Sequence, residues 1–169
     1  SKTQYGVTLD ELSRLSPVML VFLRHTGCPF CRETLAELAA KRRQIEALGV
    51  RITLVLMTPD ADSQRFLAHY GLEDVNRITD ARQCVYRAFG LQRGGIFSII
   101  GPSVWLRGIA NTFRYGSWLH LREDIFQMPG VFLIFHGEIL HSYRHQSPAD
   151  RPDFLAIARS DNLSEFSLS

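Results

Sequence analysis

Apolar positions recur along this chain in two rhythms. Residues 18–23, "VMLVFL", and 51–57, "RITLVLM", are apolar runs of strand length, the pattern of strands buried on both faces. Between them Leu35, Leu38, Ala39, Ile45 and Leu48 return at helical spacing, which predicts a helix from about Cys28 to Leu48 with Gly49 as its stop. Upstream, Thr8 caps a short helix through "LDELSRL", ended by Ser16-Pro17. Downstream, "PDADSQRFLAHYG" (59–71) has aspartates at its start and a terminal glycine, and reads as a helix capped by those aspartates. "NRITD" (76–80) reads as a short strand, with Asp80 capping a helix to Phe89 and Gly90 ending it.

The order strand–helix, three times over, implies a mostly parallel sheet with helices on both faces. The rhythm then breaks. Residues 91–127 read as an insertion with a short helix after Ser103, and residues 94–106 carry no charge. That apolar surface packs on the core or, as the sharper alternative, on a second subunit of a homodimer. "MPGVFLIFHGEILHSYRH" (128–145) follows as two strands joined at "HG", an antiparallel hairpin. A last helix in "SPADRPDFLAIAR" is capped by Ser147 or Asp150, and the polar tail 160–169 frays. This succession suits a thioredoxin-type α/β fold: one domain over 1–169, a central mixed sheet with helices on both faces, and the 91–127 insertion before the hairpin.

Composition adds limits. At 169 residues, 46% apolar and 21% charged, the chain reads as one soluble globular domain. A net charge of +2 is too small to argue for nucleic acid. The basic cluster "KRR" (41–43) reads as a solvated helix face. No apolar run approaches the roughly 20 residues of a membrane span, and "SKTQYGVTLDEL" lacks the apolar stretch of a secretory signal. With three cysteines there is no disulfide scaffold, so a reducing cytoplasm is the expected compartment.

The chemistry concentrates in "RHTGCPFCRE" (24–33). Cys28 falls where the first strand hands over to its helix, at the positive end of the helix dipole, which favours a thiolate below the free thiol pKa of about 8.5. Pro29 suits the first helical position, where a missing N–H is harmless. Arg24, His25 and Arg32 add positive potential. Cys31 lies one turn further in and is expected to be the less exposed sulfur. The spacing suits a reversible two-electron dithiol switch.

"VFLRHTGCPFCRETLAEL", "ITDARQCVYRAFGL" and "MPGVFLIFHGEILHSYRHQSPADRPD" together resemble the CxxC-containing, peroxiredoxin-like branch of the AhpC/TSA family, related to the selenoprotein-L-like proteins. The resemblance covers about residues 8–159. It implies a thioredoxin fold and thiol-based reduction of peroxides or disulfides, with thioredoxin or glutathione as reductant and no metal or organic cofactor. It makes Cys28 the peroxidatic and Cys31 the resolving cysteine. Pro129 matches the cis-proline that faces the thiols, which would turn the backbone of Met128 toward substrate. The chain also departs from the pattern. Thr26 stands two residues before Cys28 rather than three, His25 holds the threonine's usual place, and Pro129 occupies the region of the usual arginine. Arg24, Arg107, Arg122 and Arg144 are the candidate substitutes.

Each reading has a plainer rival. Cys28 and Cys31 could be half a zinc site, but the other ligands would have to come from Cys84 and scattered histidines. Cys84, with Val85, Ala88 and Phe89, reads as a buried small residue of a helix. His136, His141 and His145 read as surface residues, and Trp105 and Trp118 as packing anchors. Within the enzyme class the alternative is a thiol–disulfide oxidoreductase acting on protein or glutathione disulfides. From another class comes a non-catalytic, redox-sensing binding protein that uses the 94–118 surface.

Overall fold

The structure, a computed structural model, describes residues 1–24, 26, 28–91, 127–147 and 150–160. The elements run α1 (Leu9–Leu15), β1 (Val18–Phe22), α2 (Pro29–Ala47), β2 (Arg51–Leu56), α3 (Asp60–Ala68), β3 (Asn76–Thr79), α4 (Cys84–Ala88), β4 (Gly130–Phe135), β5 (Glu138–Arg144) and α5 (Phe154–Ala158). The expected insertion, with its short helix and both tryptophans, lies outside the described residues save for its ends, Leu91 and Gln127; so do His25 and residues 161–169 of the tail.

The five strands form one mixed sheet in the order β3-β2-β1-β4-β5. β1 pairs parallel with β2 and antiparallel with β4; β2 and β3 are parallel, β4 and β5 antiparallel. β1 is therefore central, and all five of its residues are buried. Alternation along it divides the core. Met19, Val21 and Leu23 face a cluster holding Leu35, Leu38 and Ile45 of α2, Leu67 of α3 and Phe154 and Ile157 of α5. Leu20 and Phe22 face the other way, against Val85 and Tyr86 of α4, with Leu9 of α1 packed alongside. Helices thus cover both faces of the sheet. Full burial of Leu35, Leu38 and Ile45 contributes about 1.5–3 kcal/mol each, which fixes α2 across the sheet.

Local chemistry sets the boundaries. Thr8 and Glu11 form a reciprocal capping box at the start of α1. His136 and Gly137 both adopt positive φ, the conformation a tight two-residue hairpin turn needs. The turn is tied to α1: His136 N–H donates to the Ser13 carbonyl at 2.9 Å and Gly137 N–H to Ser13 Oγ at 3.1 Å.

Four expectations are corrected. α3 begins after Pro59 with no side-chain cap, so its aspartates favour the helix through charge at its first turn instead. Asp80 does cap α4, but from a distance: its carboxylate accepts from the N–H groups of Cys84, Val85 and Tyr86, while Gln83 takes a left-handed turn between them. That turn sets the phase of α4, burying Val85 and Tyr86 and leaving Cys84 exposed. α5 is capped by Asp153, which accepts from Leu155 and Ala156; Asp150 accepts from Gln146 and Ser147 and closes the preceding turn. Leu48, finally, is exposed at the end of α2, because the helix stops before another turn can bring it inward.

The "KRR" cluster is largely paired on the helix surface. Lys41 meets Glu37 at 2.8 Å, and Arg42 meets Glu46 at 2.8 Å and Asp74 at 2.6 Å.

Candidate active site

β1 delivers the chain to Leu23 and Arg24, and α2 begins five residues later with Cys28 as its N-cap and Pro29 as its first residue. Cys28 itself is extended, φ −74° and ψ 121°. Its carbonyl accepts the first intrahelical bond, from Arg32 N–H at 3.2 Å. The half-buried ring of Pro29 stands where a helix has no use for an N–H. The motif's spacing therefore places the first sulfur at the helix mouth and the second within its first turn.

Both thiols are free and both are buried, Cys28 at 2% and Cys31 at 3% exposure. Cys28 was expected to be the more open of the two. It is covered because Arg24, itself buried, folds over it. Arg24 serves both sulfurs: its backbone N–H donates to Cys31 Sγ at 3.2 Å, and its Nη1 reaches Cys28 Sγ at 3.8 Å. Its Nε donates to the Gln127 carbonyl at 3.1 Å, which anchors the guanidinium.

These neighbours hold the Cys28 pKa down at about 6, from an ordinary 9.0. The Cys31 thiol, donating to the Cys28 thiolate, is the largest cause; the positive charge of Arg24 and the N–H groups of Cys31 and Phe30 follow, against the opposing effect of burial. The N–H groups at the helix mouth contribute after these two, and no side-chain cap bond forms at Cys28. The Cys31 thiol thus lowers the pKa of its neighbour.

The other predicted residues separate. Arg32 has other partners: its Nε donates to the Thr26 carbonyl at 3.3 Å and its guanidinium lies 5.4 Å from the Phe66 ring. Half-buried Thr26 thereby helps close the turn before the helix. Met128 and Pro129 are buried, and the Met128–Pro129 bond is trans, where a cis bond was expected. Trans is the ordinary preference of an X-Pro bond, and here the Pro129 carbonyl accepts His145 N–H at 3.3 Å while the Met128 carbonyl accepts from Gln127 Nε2 at 3.3 Å. Of the candidate arginines, Arg24 is at the thiols. Arg144 lies on β5, donating to the Phe89 carbonyl with its guanidinium 5.0 Å from the Phe132 ring; Arg107 and Arg122 fall outside the described residues.

Three buried polar residues had no clear sequence signal. Gln127 is buried and bridges the Leu91 and Met128 carbonyls while its own carbonyl holds Arg24. Glu33, buried on α2, pairs with Arg151 from the segment before α5. His145, expected at the surface, is buried, since the chain turns inward just past β5; His136 and His141 are exposed. Among the described residues no three His, Cys, Asp or Glu side chains cluster as a metal site, and no helix is long and apolar enough to cross a membrane.

A lowered-pKa thiol with a second thiol and an arginine against it, on this mixed sheet, defines a thiol-dependent oxidoreductase of peroxiredoxin-like type. The sequence model of the AhpC/TSA family matches residues 2–140, and the chain belongs to that family. It is similar to a prostamide/prostaglandin F synthase of Salmo salar, 25% identical over 164 residues that cover 94% of this chain and 81% of the relative. By structure it is similar to peroxidoxin BcpB of Mycobacterium tuberculosis, with TM-score 0.63 and 15% identity over 99% of this chain and 91% of that one. Peroxiredoxin 6 of Arenicola marina superposes with TM-score 0.70 and 12% identity, over 98% of this chain and 70% of that one. At these identities the structural likeness concerns the fold.

Proposed function

We propose that Cys28 is the attacking thiolate and Cys31 the resolving thiol of a peroxide reductase. The observation that carries this reading is the Cys28 pKa of about 6 beside Arg24 and Cys31. At neutral pH most of such a thiol is ionised and able to attack. The Cys28 thiolate attacks the distal oxygen of a hydroperoxide; the S–O bond forms as the O–O bond breaks, giving a sulfenic acid and an alkoxide or hydroxide that is protonated to an alcohol or water. Cys31 then attacks the sulfenic sulfur, expelling hydroxide that becomes water and leaving a Cys28–Cys31 disulfide. An external dithiol, thioredoxin, or glutathione reduces it. Arg24 supplies the positive charge for the developing oxyanion in the place of the usual arginine. A reducing compartment such as the cytoplasm, and association as a homodimer, belong to the same reading.

Burial of Cys28 favours a small substrate over a protein disulfide, since a peroxide can reach a sulfur that is 2% exposed with less rearrangement. The salmon relative is named as a prostamide/prostaglandin F synthase, so an organic hydroperoxide belongs beside hydrogen peroxide in the assay. The test is steady-state consumption of both peroxides with thioredoxin or glutathione, run against reduction of insulin and of a glutathione mixed disulfide. Peroxide turnover lost in Cys28→Ser supports the proposal. Turnover confined to disulfides would make the chain a thiol–disulfide oxidoreductase, and no turnover with any of them would favour the redox-sensing binding protein.

A further inference from the structure

Behind the dithiol lies a small cavity of about 10 Å³, bordered by Arg24, Phe30, Cys31, Thr34, Pro129 and His145 among others. That is room for roughly a single water. It opens on Cys31 and not on Cys28. His145 is 8% exposed, and its Nδ1 is fully buried with no hydrogen-bond partner among the described residues. A buried ring nitrogen without a partner is costly, and such a group calls for an explanation. The ring is held in place by its own backbone bond to Pro129 and by an edge contact with Tyr143, centroids 5.1 Å apart.

We propose that His145 is the proton acceptor for Cys31, taking the thiol hydrogen across the cavity the two side chains share as Cys31 attacks the modified sulfur of Cys28. The inference deepens the dithiol reading above and rests on Cys31 as the resolving thiol. Cys31 reacts as a thiolate, yet in the resting site its hydrogen is given to Cys28. Once Cys28 is oxidised or in a mixed disulfide, that acceptor is gone and the proton needs another. The balance is simple: Cys31 S–H and neutral His145 become thiolate and imidazolium; the thiolate forms the S–S bond as the Cys28–leaving-group bond breaks. When an external dithiol later opens the disulfide, His145 returns the proton to the departing Cys31 thiolate.

The groups facing His145 suit this part. Arg24 just past β1 is positive, Tyr143 of β5 offers a ring edge, and among the described residues Asp150 in the loop before α5 is the carboxylate acting on it. Burial holds His145 below its ordinary value, while Asp150 and the carbonyls of Pro129 and Asp150 pull the other way. The ring is therefore neutral, and basic, at neutral pH, and an imidazolium formed there has a carboxylate near it.

The test isolates the step from the identity of the natural substrate. An aromatic disulfide reagent that releases a coloured thiolate should react in two phases: attack by Cys28 releases the first thiolate, and displacement by Cys31 the second. His145→Gln and His145→Phe should each slow the second phase about tenfold or more and leave the first within about twofold. In the unaltered protein, which needs no variant to fold, the second phase should slow as pH falls through the His145 titration followed by NMR. A second phase that is absent, unchanged in both variants, or flat across that titration overturns the inference. Loss of peroxide turnover with these phases intact would instead count against the peroxide reading alone.

Discussion

Tyr86, fully buried on α4, donates its hydroxyl to the carbonyl of Leu23 at 2.5 Å. The same oxygen lies 3.0 Å from the Val55 carbonyl, whose own strand neighbour is Leu23 N–H at 3.0 Å. Leu23 is the last residue before Arg24. A side chain from the opposite face of the sheet thus fixes the point where β1 releases the chain into the active-site turn.

Removing that hydroxyl should therefore matter twice. Tyr86→Phe keeps the ring, whose edge packs on Phe22 at 4.9 Å, but leaves a buried carbonyl short of its donor. The expected loss is about 1–3 kcal/mol of stability in urea unfolding. The released turn should also speed alkylation of Cys28 in the folded state. An unchanged midpoint with unchanged alkylation would show that the bond positions nothing.

The order of effects on the Cys28 thiol can be ranked by substitution. The largest stabiliser of the thiolate is Cys31 and the next is Arg24. Cys31→Ala should raise the Cys28 pKa furthest from its value of about 6 toward the ordinary 9.0, and Arg24→Gln by less. Cys31→Ser, which keeps a donor, should fall between the parent and Cys31→Ala. Alkylation rate against pH reads all four proteins. A larger rise for Arg24→Gln than for Cys31→Ala would reverse the electrostatic account. Arg24→Gln should also slow peroxide attack by about 10–100-fold, the effect of losing a charge-assisted contact.

Much of this arrangement was legible in the residues themselves. Pro29 after Cys28 marks a helix start whatever the rest of the fold does, because only the first helical position tolerates a missing N–H. Continuous apolar runs marked β1 and β2 as buried on both faces, and "HG" between two apolar runs marked the hairpin. Features set by long-range contact were not legible. His145 follows a strand whose residues are mostly exposed, so nothing local says that the chain then turns under Pro129. Cys84 shares helical spacing with apolar residues, but the left-handed Gln83 shifts where the helix begins and so which side faces inward. The pairing of Glu33 with Arg151 joins segments far apart in the chain.

Gly130 begins β4 beside Pro129, and its position has little spare room. A Cβ there would lie 2.7 Å from Leu91 Cδ2 and 3.2 Å from both Phe132 Cε2 and the Tyr143 carbonyl oxygen. Leu91 can swing, but the Tyr143 backbone belongs to the paired strand. Gly130→Ala should destabilise by about 1–3 kcal/mol, as overpacking does. Leu91→Ala should recover part of that loss in the double mutant. Additive losses in the double-mutant cycle would mean that the clash with Leu91 is not the cause.

Acid should weaken the fold through two groups acting in adjacent windows. Cys28 has a folded pKa of about 6 against 9.0 for an ordinary thiol, so the unfolded chain binds more protons between those values. Its contribution is fully present above the unfolded value and is lost as pH falls toward 6. His145 is also held below its ordinary value of 6.5 by burial, so the unfolded chain again binds the extra proton. Its contribution is present above 6.5 and lost as pH falls from there toward the folded value. Stability of the reduced protein, measured by urea unfolding, should therefore decline from pH 9 to 6 and continue to decline below 6.5. Cys28→Ala should flatten the upper part of that curve and His145→Phe the lower part, each leaving the other intact. If Cys28→Ala leaves the slope between pH 6 and 9 unchanged, the thiol is not held ionised by the fold, and the chemistry proposed for it loses its physical basis.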